Sequence, residues 1–136
     1  MFIDAAALIA ILSDEEESAR CSAAIIKSQE RITSAIAVWE SAVALARPDK
    51  LAIPVARAER MVMRFLEERG IALCELPEAR SAVALSLSAA HRYRGGTHRL
   101  NLADCFHYAC AKHLGVPILS TADEFRFTDI ETVSGY

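Results

Sequence analysis

Residues 100–125 read LNLADCFHYACAKHLGVPILSTADEF, and this stretch decides the expected fold. Its first half places apolar residues at helical spacing, with Asp104 close to the start. Gly115 suits the end of that helix, because glycine readily adopts the left-handed conformation found there. Ile118 and Leu119 then predict a short buried strand, and Asp123 lies on the turn after it. The stretch therefore predicts a helix, a strand and a turn, with an acid near each end.

Both acids have apolar neighbours. Cys105 and Phe106 follow Asp104, and Phe125 lies just beyond Asp123. A buried carboxylate costs several kcal/mol of folding free energy unless another group pairs with it. We therefore expect these acids to share partners. The partners that we expect are two more acids from the rest of the chain and a bound divalent cation.

The rest of the chain alternates short apolar segments with longer helical patterns. The predicted strands are 2–3, 31–33, 71–73, 118–119 and 130–133. The predicted helices are 5–12, 16–28, 35–47, 54–69, 78–93 and the one that begins after Asn101. This alternation predicts an α/β fold, a three-layer sandwich whose central, mostly parallel sheet is flanked by helices. At 136 residues, we expect one domain over 1–136.

The helical patterns also predict ends and faces. Ser34 is a plausible N-cap, and the acidic run 14–16 suits a cap and first turn. The inward residues expected for helix 54–69 are Val55, Ala58, Val62, Phe65 and Leu66, and those expected for helix 78–93 are Val83, Leu87 and Ala90.

Four acids can meet at one edge of such a sheet. Asp4 and Asp123 each follow a predicted strand, and the functional crevice of a parallel sheet lies outside the carboxyl ends of its strands. Asp104 opens the helix before one strand, and Glu40 lies in the helix after another. Two alternatives stay open: Asp104 could serve only to cap its helix together with Asn101, and Glu40 could simply reach water from the edge of an apolar stripe.

Gathered carboxylates repel each other, and a hard divalent cation removes the conflict. Oxygen ligands suit magnesium, with manganese as a second choice, and such an ion can activate water for phosphodiester hydrolysis. The sequence carries no Ser/His/Asp set, glycine-rich phosphate loop or GxGxxG motif that would favour other chemistry.

Composition excludes several other classes of protein. The net charge of −3 argues against a protein that coats nucleic acid, although a nuclease remains compatible with it. No apolar run is long enough to span a membrane and no signal peptide is recognisable, so we expect a cytoplasmic protein. The four cysteines form no CxxC pair and fit a reduced core, and the histidine spacing does not match a zinc site.

Several ordered motifs resemble one known family. They are Met1, Asp4, Ala7 and Leu8 at the start; Glu40 in the helix after the second strand; LNLADCFHYACA at 100–111; Pro117-Ile118-Leu119; Asp123-Glu124-Phe125; and Thr128-Asp129-Ile130. Together they resemble, over essentially the whole chain, the PIN-domain ribonucleases, and specifically the VapC toxins of bacterial type II toxin–antitoxin systems.

The resemblance implies a hydrolase that cleaves RNA with magnesium. It implies catalytic acids at Asp4, Glu40, Asp104 and Asp123, with Asp4, Asp104 and Asp123 binding the metal. It also implies a homodimer and a VapB-like antitoxin protein that covers the groove. Thr121, Asp123 and Glu124 lie on one turn, so any of them could complete the metal shell, and Thr121 and Asn101 are possible accessory residues.

The chain departs from the family pattern at two places. Relatives often have a hydroxyl residue within two positions of the first Asp, where this chain has Ala5 and Ala6, and a glycine before the third acid, where it has Ala103. We expect the Ala103 methyl to be tolerated if the helix has already begun there.

Two questions about function remain open from sequence. Arg94 and Arg99 flank a Gly-Gly pair. One interpretation is that they contact RNA phosphate or an antitoxin; the other is that they belong to an ordinary exposed loop. The alternative to a nuclease is a PIN-fold module that binds RNA or protein and cuts weakly. A response-regulator receiver does not fit, because its paired acids and late lysine are missing.

Overall fold

A computed structural model describes residues 1–133; the predicted domain extends to residue 136, beyond the described part. The strands are β1 (Phe2–Ile3), β2 (Ile32–Ser34), β3 (Ala72–Cys74) and β4 (Ile118–Leu119). The helices are α1 (Ala5–Leu12), α2 (Ser18–Lys27), α3 (Ala35–Ala46), α4 (Val55–Arg69), α5 (Ala79–Tyr93) and α6 (Leu102–Leu114). A 3-10 helix, Asp123–Phe127, follows β4.

The strands form one parallel sheet in the order β3-β2-β1-β4. Phe2 of β1 pairs with Ile32 on one side and with Ile118 on the other. The predicted strand at 130–133 is reduced to a single parallel bridge between Thr132 and Ile118. The α/β prediction with a parallel sheet is confirmed.

Side chains of the central strands alternate between two cores, as the pleat of a strand requires. Ile3 and Leu119 face a core built largely from α1, α2 and α4. Phe2 and Ile118 face the opposite core, to which α5 and α6 contribute. Helices therefore cover both faces of the sheet, which gives the predicted three layers.

The helix ends predicted at Ser34 and Gly115 are confirmed, and Gly70 forms a third end of the same glycine type. Ser34 caps α3, its Oγ accepting a hydrogen bond from the Ala37 N–H at 3.3 Å. Gly70 ends α4 and Gly115 ends α6, with φ angles of 60° and 64° in the left-handed region. Gly115 thereby places the start of β4 against β1.

The predicted inward face of α4 is confirmed at Ala58, Val62, Phe65 and Leu66, whereas three other residues predicted to face inward are exposed. Val83 and Leu87 of α5 point outward, while its buried residues are Ala82, Ser86 and Ala89. These smaller residues let α5 pack against α6. In the same way, Val55 is exposed at the start of α4.

The start of α2 also differs from the prediction. It begins at Ser18, so the acidic run 14–16 precedes the helix, where Glu15 pairs with Lys50. Within residues 1–133, none of the helices combines the length and apolar character that a membrane crossing requires.

Candidate functional site

The carboxyl edge of the sheet collects most of the predicted site residues. Asp4 directly follows β1, and Glu40 lies in α3, which directly follows β2. Asp104 is in the first turn of α6, the helix whose far end leads into β4. Because the strands are parallel and α6 returns across the sheet, these positions reach the same edge.

Asp4 is almost completely buried, with 2% of its surface exposed. Its Oδ1 accepts a hydrogen bond from the Ala7 N–H at 3.0 Å, which caps α1. Burial raises the pKa of Asp4 to about 6, and the nearby Asp104 adds to the rise, while the Ser120 side chain and the Ala7 N–H oppose it. The carboxylate is thus held in place, but its charge is incompletely compensated by the protein.

Asp104 is half-buried and takes part in a complete capping box. Its Oδ2 accepts a hydrogen bond from the Asn101 N–H at 2.9 Å, and Asn101 Oδ1 accepts one from the Asp104 N–H at 2.8 Å. Burial is the main cause that raises the pKa of Asp104, and repulsion from Glu40 and Glu124 contributes. Asp104 therefore both caps α6 and lies within the electrostatic reach of the other acids.

Glu40 contacts a residue that the sequence reasoning did not select. Its Oε1 lies 3.0 Å from Nε2 of His107, which is completely buried. Glu40 itself retains 28% side-chain exposure, so its carboxylate reaches the protein surface. The available signal was His107 itself, a histidine one turn after Asp104 on a helix whose neighbouring residues are apolar and buried.

Asp123 and Glu124 have different surroundings on the 3-10 helix. The side chain of Asp123 is 62% exposed and forms an ion pair with Arg126 at 3.3 Å. Glu124 is half-buried and lies close enough to Asp104 to raise the pKa of that carboxyl. Of the alternatives on this turn, Glu124 is thus the acid linked to Asp104.

A serine supplies a hydroxyl to the first acid. Ser120, immediately after β4, lies close enough to Asp4 for its side chain to lower the pKa of that carboxyl, and its Oγ accepts a bond from the Ala122 N–H at 3.0 Å. The hydroxyl that the family resemblance leads us to expect within two positions of Asp4 is missing, because Ala5 and Ala6 stand there; Ala5 is buried in α1, and Ser120 is the hydroxyl residue near Asp4. Ser120 was missed in sequence because it comes from a distant strand. Thr121, the predicted accessory, lines a neighbouring cavity of about 170 Å³.

The second departure from the family pattern is accommodated. Ala103 lies within α6, which has already begun at Leu102, so its methyl group meets no special backbone requirement. The expectation for Ala103 is confirmed.

The loop 94–99, which carries Arg94 and Arg99, borders the start of α6. Arg94 is the C-cap residue of α5. Burial raises the pKa of the Cys105 thiol, and the nearby Arg94 guanidinium opposes that rise. Arg99 is exposed two positions before Asn101. His98 stacks on Phe127 with ring centroids 4.2 Å apart, which connects the loop to the 3-10 helix.

The donor set suits a hard cation. The candidate ligands are carboxylate oxygens, which hard cations prefer, and burial raises the pKa of Asp4 because its charge is poorly solvated there. Within residues 1–133, no three acidic, histidine or cysteine side chains converge closely enough to hold an ion together. Magnesium keeps several water ligands in proteins, so one or two direct carboxylates with bridging water fit this arrangement.

Comparison with known proteins identifies the fold. A PIN domain profile matches residues 1–131. Ribonuclease VapC of Mycolicibacterium smegmatis is 35% identical over 135 residues, which cover 98% of this chain and 99% of that protein. Ribonuclease VapC30 of Mycobacterium tuberculosis is 34% identical over 98% of both chains, and ribonuclease VapC42 of the same organism is 33% identical over 96% of both.

These matches cover nearly the whole chain and agree with the parallel sheet and with the acids at its carboxyl edge. The chain belongs to the PIN domain family, in its VapC branch.

Proposed function

We propose that this protein is a magnesium-dependent endoribonuclease that hydrolyses RNA phosphodiester bonds and is the toxin of a toxin–antitoxin pair. The relatives named as VapC ribonucleases, similar over almost their full length, support this proposal. The observation that carries it is the group of acids around Asp104: Asp4, Glu40 and Glu124 are each linked to it electrostatically.

The chain's own residues prepare this site in separate ways. Asp4 is fixed by the cap of α1 and by Ser120, and Asp104 is fixed by its capping box. When bound, a divalent cation would neutralise the acids and the phosphate and lower the pKa of a bound water. We propose that one or two of Asp4, Asp104 and Glu124 bind it directly and the others through water, with manganese able to replace magnesium.

The first experiment measures cleavage of a structured, end-labelled RNA by the purified protein. Cleavage should require magnesium and stop with EDTA. Asp4→Asn and Asp104→Asn should each abolish it while circular dichroism shows a folded protein, because each removes one site charge and changes little volume. Full activity in both variants contradicts the mechanism, and identical purification of these variants controls for contaminating nucleases.

A catalytically weak module that binds RNA or protein is the second candidate. Two observations favour it: alanine at positions 5 and 6, and the absence, within residues 1–133, of three converging metal ligands. This candidate predicts that the wild-type protein retains a labelled RNA in a filter-binding assay without cutting it at any magnesium concentration. RNA cleavage that both Asp→Asn variants abolish excludes it.

Partners follow from the same proposal, in which the protein is a cytoplasmic homodimer bound by a VapB-like antitoxin. Two exposed apolar faces are suited to contact other chains. One is a groove of about 320 Å³ between α3, α4 and β3, where Trp39 is 68% and Leu73 50% exposed. The other is the outer face of α5, where Val83 is 57% and Leu87 63% exposed.

Arg94 and Arg99 are proposed to contact RNA phosphate or the antitoxin. Replacing both with alanine should reduce the dependence of RNA binding on salt, because each phosphate contact releases counterions. The measurement is the slope of log affinity against log salt. An unchanged slope, together with unchanged antitoxin binding, removes this role.

A further inference from the structure

His107 is a buried histidine that the proposed acid mechanism does not use. It has no exposed surface, and its ring packs against Phe2 of β1 with centroids 5.7 Å apart. Its Nε2 is 3.0 Å from Glu40 Oε1, whereas Nδ1 has no hydrogen-bond partner among the described residues. One ring nitrogen thus makes a polar contact, and that contact is directed at a site acid.

The two nitrogens indicate which tautomer is present. A proton on Nδ1 would be a buried donor without an acceptor, which is unfavourable. A proton on Nε2 instead points at Glu40 Oε1, which can accept a hydrogen bond from it. The neutral ring with its proton on Nε2 therefore fits the surroundings, and it donates to Glu40.

Glu40 needs such support because its own helix does not hold it. Its neighbours Trp39 and Val43 are exposed, and the carboxylate extends from α3 toward the surface. A glutamate side chain with several rotatable bonds samples many positions unless a partner restrains it. His107 provides that partner from α6, the helix that also carries Asp104 three residues earlier.

We propose that His107 is a positioning residue that orients the Glu40 carboxylate toward the group of acids around Asp104. This inference rests on the proposed function, because orientation of Glu40 matters only if Glu40 takes part in cleavage. His107 acts on the reaction through Glu40 and touches neither RNA nor metal. Glu40 Oε1 accepts the hydrogen bond from the His107 ring, so Oε2 remains available to act in the acid site.

A matched pair of variants tests the donor. His107→Gln keeps an N–H donor close to the position of Nε2, and His107→Met has similar length without a donor. We expect His107→Met to lower kcat by about tenfold, the equivalent of one lost hydrogen bond to a charged group, with little change in KM. His107→Gln should recover most of that loss. Thermal unfolding of both variants controls for their stability.

A double-mutant cycle separates positioning from packing. In a Glu40→Ala background, His107→Met should lower kcat no further, because the carboxylate that it orients is already gone. Equal losses with and without Glu40 would overturn the inference and show a packing effect.

A measurement independent of activity, and of any His107 variant, uses nitrogen-15 NMR of the wild-type histidines. The His107 ring should show a protonated Nε2 and a bare Nδ1, and its Nε2 resonance should shift in Glu40→Ala. The opposite tautomer overturns the inference even if His107→Met fails to fold.

The outcomes for the two proposals differ. A wild-type protein that does not cut RNA with magnesium overturns the proposed function and this role with it. A wild-type protein that cuts, loses activity in Asp4→Asn and stays fully active as folded His107→Met overturns only the role of His107.

Discussion

At the scale of single residues, Asp4 is the most deeply buried of the site acids and carries a charge that the protein incompletely compensates. Burial raises its pKa to about 6, so between its ordinary value of 3.8 and that value the folded state holds a proton that the unfolded state has lost. The stability that this proton confers is full below the ordinary pKa and disappears as the pH rises through the raised one. The site is therefore maintained at a cost in stability at neutral pH.

Replacing Asp4 with Asn should remove this pH dependence. The wild-type protein in EDTA should lose up to about 3 kcal/mol of unfolding free energy from this residue between about pH 4 and about pH 8, while Asp4→Asn should lose clearly less. Urea unfolding at several pH values measures this, and asparagine can still cap α1. Parallel curves for the two proteins would contradict the burial argument.

Asp123 and Glu124 differ enough to be separated by mutation. Because Glu124 is linked to Asp104 and Asp123 pairs outward with Arg126, Glu124→Gln should reduce RNA cleavage at least tenfold, and Asp123→Asn should change it less than about threefold. The two substitutions are matched, since each removes one charge from the same turn. The reverse order of effects would restore Asp123, the acid predicted from sequence, to the site.

At the scale of elements, Asp129 joins the segment after the 3-10 helix to α5 and α6. Its carboxylate accepts hydrogen bonds from Lys112 at 2.7 Å and from Tyr108 at 2.9 Å, and its N–H donates to the Tyr93 hydroxyl at 3.2 Å. The bond from Lys112 is the main cause that holds the pKa of Asp129 below its usual range. The Thr128-Asp129-Ile130 motif is thus structural and holds the 3-10 helix that bears Glu124.

Asp129→Asn should destabilise the protein by about 1 to 3 kcal/mol, because the Lys112 ammonium loses its charged partner and faces an amide. Asp49→Asn is the control: its ion pair with Arg47 is exposed, and it should change stability by less than about 1 kcal/mol. Urea denaturation of both variants makes the comparison. Equal effects would mean that Asp129 contributes no more than a surface pair.

The elements also show what the sequence could predict. Local signals were sufficient for Ser34 and Gly115, because a cap and a left-handed glycine act within one turn. The inward face of α5 was missed because Ala82 and Ala89 are selected by how closely α6 approaches, which no count of apolar residues contains.

The same limit applies to the site. Asp4, Glu40 and Asp104 reach one sheet edge because the order of strands and helices requires it. The contacts of His107 with Glu40 and of Ser120 with Asp4 join residues 67 and 116 positions apart, and only the packed structure brings them together.

At the scale of the whole molecule, the two exposed apolar faces bear on assembly. If one of them closes the proposed homodimer, a charge placed there should give monomers. We expect this of either Trp39→Glu with Leu73→Glu or Val83→Glu with Leu87→Glu, with little change in stability because these side chains are exposed.

Light scattering after size exclusion measures the mass, and Ile26→Glu is the control, a charge on another exposed apolar residue. A monomeric wild-type protein would contradict the dimer. A dimer that persists in both double variants would place its interface elsewhere.

The pairing of β1 with β4 has a consequence for the timing of synthesis. The partners Ile3 and Leu119 are 116 positions apart, which a ribosome working at about 5 to 20 residues per second covers in roughly 6 to 23 s. Until then Ser120 and Glu124 have not been synthesised, and β1 lacks its partner β4. A nascent chain that has not yet reached β4 therefore carries an incomplete acid site, and any RNA cleavage by this protein begins only after β4 has emerged.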